Sequence, residues 1–187
     1  QASADPERAL VENRAAIYGL AQLLGGKNLQ LMVNEVKHDD EQAALKVTLA
    51  RRRDLQQHFI YSATLHLLTS QNMSATVGET KELIDSLQGG SGFSFVDLLA
   101  DKAGVRFAQL ATMSPQHAQA VQAFFSAADR QESEVFPSKA RLPEGMPKEL
   151  FEQQYQSIDS ALYQQMVAEI DRRLDALPLY QLQQQLS

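Results

Sequence analysis

Ionisable side chains recur at helical spacing in three neighbouring stretches, and they are the residues of this sequence that could do chemistry. In each stretch the polar positions are three or four residues apart, which places them on one face of a helix. The three sets are His58, Ser62 and His66; Gly78, Glu82 and Asp85; and Asp97, Asp101 and Gly104. Because apolar residues flank each set, we expect the polar faces to meet and five of their ionisable groups to converge, namely His58, Glu82, Asp85, Asp97 and Asp101.

The two glycines in these sets predict close contact between helices. A glycine inside a helix costs about 1 kcal/mol relative to alanine, so its presence there needs a structural reason. Gly78 and Gly104 each lie one turn from an acidic residue of their own set. Two helices that touch at such positions would bring those acidic side chains together.

Three interpretations of the converging groups remain open, because buried carboxylates need protons, a cation or hydrogen-bond donors. In the first, a structural network, His58 donates to a carboxylate while Asp97 caps its own helix. In the second, His58, Glu82, Asp85, Asp97 and Asp101 bind a divalent metal such as zinc, manganese or calcium, although the chain has no HExxH motif. In the third, acid–base catalysis, Glu82 and Asp97 are the catalytic carboxylates and His58 tunes them.

A glycine-rich stretch, residues 89–92, separates the second set from the third. At a helix N-terminus the backbone amides of Gly90, Ser91 and Gly92 could bind an anion. The stretch lacks the lysine of a P-loop, and the alternative is a tight reversal between two helices. We expect Phe93 and Phe95 to pin that reversal to the core.

The elements that must position these groups are predicted to be helices, so the chain is expected to be a single all-α domain, a multi-helix bundle over residues 1–187. Ser94 with Asp97 three residues later predicts a capped helix start, as do Asp5-Pro6 and Ser114-Pro115. The predicted helices span residues 5–24, 54–70, 74–87, 94–112, 114–128, 148–154 and 159–177, and residues 54–112 form the motif-bearing core.

Other parts of the chain give less regular patterns. Residues 28–50 fit either a short β-hairpin or two helical segments, and strong helix formers at residues 41–46 favour helix. Residues 131–147 contain three prolines and predict an extended surface segment anchored by Phe136 and Leu142. We expect Pro178 to end the last helix, the glutamine-rich residues 181–187 to fray, and His117 to be exposed near a helix start.

Charge and composition restrict the classes of function. The net charge of −6 argues against a nucleic-acid partner. The basic run Arg51-Arg52-Arg53 is expected to form a solvated face or local salt bridges, and an anion or partner site is the alternative. No cysteine is present, which excludes disulfides and thiol catalysis. No apolar run is long enough for a membrane span. The small, polar start Gln1-Ala2-Ser3-Ala4 is typical of a processed or trimmed chain and favours an exported, periplasmic protein, with a cytoplasmic location as the alternative.

One resemblance to a known family follows from the order of motifs between residues 54 and 108. The order resembles that of the YfiM-type family of small bacterial envelope lipoproteins of unknown function, and more loosely that of VanZ-like membrane proteins. The matching positions are His58-Phe59, Gly78, Lys81-Glu82, Asp85, residues 92–95, Asp97-Leu98, Ala100-Asp101 and Gly104. The chain departs from the family in having no lipidation cysteine. The resemblance implies a bacterial source and an envelope location, and it brings no established activity.

These observations lead to two expectations about function. The first is a non-enzymatic scaffold or binding module of the cell envelope, whose partner is an envelope protein or polymer. It needs no cofactor. The second is a metal-assisted or carboxylate-based hydrolase that acts on a cell-envelope polymer.

Overall fold

The computed structural model describes residues 3–25, 46–70 and 92–186. Within these ranges the protein is all-α, as predicted, with seven α-helices, one 3-10 turn at Glu132–Glu134 and no β-strand. The helices are α1 (Pro6–Leu24), α2 (Arg53–Ser70), α3 (Phe95–Thr112), α4 (Pro115–Ser126), α5 (Lys148–Tyr155), α6 (Ala161–Asp175) and α7 (Pro178–Gln185).

The predicted helix starts of α1, α3 and α4 are confirmed by their caps. The first backbone N–H groups of a helix have no partner within the helix, and a side-chain oxygen at the preceding residue can accept from one of them. Asp5 accepts from the amide of Glu7 at 3.0 Å, and Ser94 Oγ accepts from the amide of Asp97 at 3.0 Å. Ser114 caps α4 in the same way.

Two predictions about the C-terminal end are wrong. Pro178 does not end the last helix. It begins α7, where its missing N–H costs nothing because that group would have no helical partner. Residues 181–185 are helical rather than frayed, because Leu179 and Tyr180 are buried and hold α7 on the core. The phenolic O–H of Tyr180 donates to the carbonyl of Ala103 in α3 at 3.0 Å.

The alternatives for residues 28–50 fall largely outside the described residues, as does the predicted helix at 74–87. Residues 46–50 are described and are not helical. There Leu49 and Arg52 exchange two backbone hydrogen bonds of 2.9 Å, which form a tight turn just before α2. This turn therefore fixes the backbone immediately before the first residue of α2.

The pair α2–α3 forms the centre of the structure and makes the most extensive helix contact among the described residues. Gly104 of α3 explains how close the two helices come, as the sequence predicts. A Cβ atom at this position would lie 2.1 Å from the backbone carbonyl oxygen of Phe59 in α2, far inside contact distance. The two backbones therefore touch directly.

The helix α1 packs against α2 and α4 and is tied to the corner between α3 and α4. The buried Asn13 side chain donates to the carbonyls of Ala111 and Ala118 at 2.9 and 3.1 Å. A buried amide needs such partners, since an unpaired polar group costs about 1–3 kcal/mol. Asn13 therefore fixes how α1 lies over that corner.

Residues 131–147 form an extended segment that runs along the structure, and its predicted anchors are confirmed. Phe136 and Leu142 are 3% and 7% exposed. Near its end, Met146 and Phe93 exchange two backbone hydrogen bonds of 2.9 and 2.8 Å. Pro143 accepts from the amide of Phe95 at 2.9 Å. The segment is therefore fastened to the start of α3.

The start of α3 is also held by aromatic packing of Phe93 and Phe95, whereas most of the reversal that they are predicted to pin lies outside the described residues. Phe95 is fully buried. Its ring lies 4.9 Å from that of Phe93, 5.0 Å from that of Tyr155 and 5.5 Å from that of Tyr163. Edge and tilted contacts of this kind add to the stabilisation from burial.

We predict that Gly104→Ala destabilises the protein by about 1–3 kcal/mol or more, because the added methyl group must push two backbones apart. Chemical denaturation monitored by circular dichroism measures this change. Gly19→Ala in α1 is the matched control, since no atom lies within 4 Å of a Cβ atom placed there. The control should stabilise the protein by up to about 1 kcal/mol through helix propensity. Equal effects of the two substitutions would contradict the close-contact role of Gly104.

Candidate functional site

His58, Ser62 and Asp101 form the centre of the candidate site between α2 and α3. His58 Nδ1 donates to Asp101 Oδ1 at 3.1 Å, and Ser62 Oγ donates to the same oxygen at 2.8 Å. His58 is buried, while the Asp101 side chain is 35% exposed. Two of the predicted polar faces, those of α2 and α3, therefore do meet.

Asp97 lies one turn before Asp101, and its carboxylate is less fully hydrogen-bonded than that of Asp101. Its Oδ2 lies 3.8 Å from His58 Nε2, and its Oδ1 lies 3.8 Å from Arg52 Nη2. Both distances allow electrostatic attraction but exceed hydrogen-bond length. Among the described residues, the buried Oδ1 has no hydrogen-bond partner. Asp97 is thus a carboxylate between two basic groups, neither of which donates to it.

Arg52 is also a member of the site, although the sequence analysis does not place it with His58 and the carboxylates. Its guanidinium pairs with Asp54, through Nε at 3.1 Å and through Nη2, and its Nη1 pairs with Glu144 of the extended segment. The pair with Asp54 is local, as predicted. Glu144 lies 92 residues further along the chain, and no spacing signal connects the two.

The electrostatics of the site follow from burial opposed by neighbouring charges. Burial acts to lower the pKa of His58, but the hydrogen bond and charge of Asp101, with the charges of Asp97 and Asp54, outweigh it and raise that pKa overall. Burial raises the pKa of Asp97, against the opposing effects of His58, Ser94 and Arg52. The fold therefore favours a protonated imidazole and disfavours full ionisation of Asp97.

The remaining predicted site residues are placed elsewhere or not described. Glu82, Asp85, Gly90 and Ser91 lie outside the described residues. Gly92 is described, and its role is steric: it has φ +80°, and a Cβ atom there would lie 2.4 Å from the carbonyl oxygen of Met146. This glycine therefore permits the close contact with the extended segment, and anion binding by residues 90–92 stays a prediction.

The other two described histidines lie apart from the centre of the site. His66 is partly buried at the edge of the core, as expected, and burial lowers its pKa. The prediction that His117 is exposed is wrong, because this residue is only 8% exposed. Its Nδ1 forms a hydrogen bond of 2.7 Å with Ser114 Oγ, so the imidazole folds back over the capped start of α4.

The part of the chain that the structure describes contains no group of three or more histidine, aspartate, glutamate or cysteine side chains that could hold a metal ion. His58, Asp97 and Asp101 are therefore not arranged as a metal centre by themselves. The five-ligand arrangement predicted from the sequence also needs Glu82 and Asp85, which lie outside the described residues.

No helix within residues 3–25, 46–70 and 92–186 has both the length and the apolar character required to cross a membrane. Comparison of the chain with protein-family models, with curated proteins and with solved structures finds no match.

We predict that His58 makes stability depend on pH. Its pKa is raised in the fold, so its contribution is fully present below the unfolded-state value of 6.5 and is lost as the pH rises through the higher folded-state value. Urea unfolding between about pH 5 and 8 measures the slope of the free energy of unfolding against pH. His58→Gln should remove this loss of stability at higher pH.

His66→Gln is the control for this experiment. Burial lowers the pKa of His66, so its contribution has the opposite sign and is lost as the pH falls below 6.5. The two substitutions should therefore change the slope in opposite directions. A slope that His58→Gln leaves unchanged would contradict the raised pKa of this residue.

Proposed function

We propose that this chain is a non-enzymatic helical protein of the bacterial cell envelope, located in the periplasm, that acts as a scaffold or binding module. The polar cluster of His58, Ser62 and Asp101 fixes the packing of its two central helices. The observation that carries this proposal is the shared acceptor: one oxygen of Asp101 accepts from both α2 side chains.

The side chains of the cluster already form hydrogen bonds with one another, which supports a structural role. A group that does chemistry must reach a substrate, whereas His58 is 9% exposed and already uses Nδ1 in its bond to Asp101. The hydrogen bonds also cross the contact at Gly104, where a change in helix register would break all of them. A buried polar network of this kind favours one packing arrangement over others.

The envelope location and the partner rest on sequence features. The motif order between residues 54 and 108 resembles that of the YfiM-type envelope lipoproteins. A net charge of −6 disfavours nucleic acid as the partner. We therefore propose an envelope protein or an envelope polymer as the partner of the scaffold.

A second candidate function, carboxylate-based hydrolysis of an envelope polymer, is favoured by one observation at Asp97. This carboxyl group has a buried oxygen without a hydrogen-bond partner and a pKa that burial raises. A carboxylic acid that retains its proton can act as a general acid. His58, at 3.8 Å, would adjust its charge, and Glu82 is the second carboxylate of this proposal.

We predict that His58 and Asp101 are energetically coupled. In a double-mutant cycle of His58→Ala and Asp101→Asn, the sum of the single losses should exceed the loss in the double variant by about 1 kcal/mol or more. Urea unfolding gives the four free energies. Lys102→Gln, combined with His58→Ala, is the matched control, since Lys102 pairs with Asp171 on another helix. Additive effects of His58 and Asp101 would contradict the packing role.

For the second candidate, we predict slow hydrolysis of purified cell-wall polymer that Asp97→Asn lowers at least about tenfold. The release of soluble fragments measures the activity. Asp175→Asn is the control, because Asp175 pairs with Arg106 away from the site. No activity of the wild-type chain towards peptidoglycan, glycan or peptide would rule out this second candidate and leave the scaffold proposal standing.

A further inference from the structure

Arg52 joins three separate parts of the chain through its guanidinium group. Asp54 belongs to the first turn of α2, Asp97 to the first turn of α3, and Glu144 to the extended segment. Arg52 pairs with Asp54 and Glu144, and its Nη2 lies 3.8 Å from Asp97 Oδ1. Its side chain is 30% exposed. No other described cation meets carboxylates from three such parts.

The planar guanidinium gives this arrangement a defined orientation. Its N–H groups point in fixed directions, so Nε and Nη2 towards Asp54 and Nη1 towards Glu144 leave little rotational freedom. These two anions also raise the pKa of Arg52, Asp54 more than Glu144. The position of the positive charge beside Asp97 is therefore set by two other residues.

Glu144 itself lies in a fixed place. Hydrogen bonds join the segment to the start of α3 at Pro143, just before Glu144, and at Met146, two residues after it. Pro143 accepts from Phe95, and Met146 pairs with Phe93 in both directions. The backbone on both sides of Glu144 is thus fastened beside the start of α3.

We propose that Arg52 is the positioning residue of this site, and that Glu144 and Asp54 hold its guanidinium where its positive charge acts on Asp97 beside His58. This inference rests on the proposed role of the polar cluster and adds the residue that regulates it. The extended segment thereby acts on the two central helices through one ion pair.

The described groups that face Asp97 all enter this balance. Burial raises the pKa of Asp97, and His58, Ser94 and Arg52 act to lower it, while the charge of Asp54 raises it. Asp101 lies one turn away and is occupied by His58 and Ser62, and Glu144 acts through Arg52. Arg52 is the member of this set whose position depends on a distant segment.

The first experiment is a carboxyl carbon NMR titration of the full chain, with Arg52→Gln compared with Arg53→Gln. Both substitutions remove one positive charge from neighbouring positions, and Arg53 is exposed. We expect an upward shift of the Asp97 midpoint in Arg52→Gln that clearly exceeds the shift in Arg53→Gln. Equal shifts would overturn the inference, because they would show a general charge effect.

The second experiment uses Glu144→Gln, which leaves Arg52 and the core intact. The sign of the resulting shift in the pKa of Asp97 tests whether Glu144 holds Arg52 in place. Removing an anion would by itself lower the pKa of Asp97, whereas releasing Arg52 would raise it. We therefore expect an upward shift of the Asp97 midpoint, and none in the control Glu149→Gln, an exposed residue of α5. A downward shift, or no shift, would overturn the inference.

Arg52→Lys separates position from charge, since lysine keeps the charge but cannot bridge two carboxylates in one plane. We expect the Asp97 midpoint in this variant to lie closer to that of Arg52→Gln than to that of the wild type. A wild-type midpoint would contradict positioning. These outcomes are independent of the coupling between His58 and Asp101, so the regulatory inference and the packing proposal can fail separately.

Discussion

The direct contact between the backbones of α2 and α3 is the constraint on which the described structure depends. The carbonyl of Phe59 occupies the space that a side chain at position 104 would need. His58 is the neighbour of Phe59, and Asp101 lies one turn before Gly104, so the same contact brings imidazole and carboxylate to 3.1 Å. Packing and polar chemistry are therefore consequences of one steric feature, and a larger residue at position 104 would disturb both.

The two carboxylates of α3 differ because of what surrounds them. Asp101 is partly exposed and accepts from two donors, so its charge is well compensated. Asp97 lies deeper, its amide is used by the Ser94 cap, and its buried oxygen meets cations only at 3.8 Å. Because Asp97 is buried, its pKa is raised, and the neighbouring cations offset this effect only in part. One residue thus has the surroundings of a structural acceptor, and the other has those of a group that can exchange a proton.

The helix α3 can present these groups in a fixed orientation because it is supported on its other sides. Lys102 and Arg106 pair with Asp171 and Asp175 of α6 at 3.1 and 2.5 Å. Tyr180 of α7 donates to a carbonyl of α3. Exposed ion pairs contribute little stability individually, so the buried apolar contacts beneath them supply most of the support. The extended segment completes the enclosure at the N-terminal end of the helix.

Sequence alone determined the features that depend on local interactions. The helix type, the caps at Asp5, Ser94 and Ser114, and the shared face of His58 with Ser62 follow from residue preferences and from the 3.6-residue period. It also indicated that Gly104 lies at a helix contact. Only the tertiary structure decided the pairing of Arg52 with Glu144, the burial of His117 and the helix that starts at Pro178. The first two depend on a residue distant in the chain or on burial against another element, and neither leaves a pattern in neighbouring residues. Pro178 is compatible with the end of one helix or the start of the next, and the burial of Leu179 and Tyr180 decides between them.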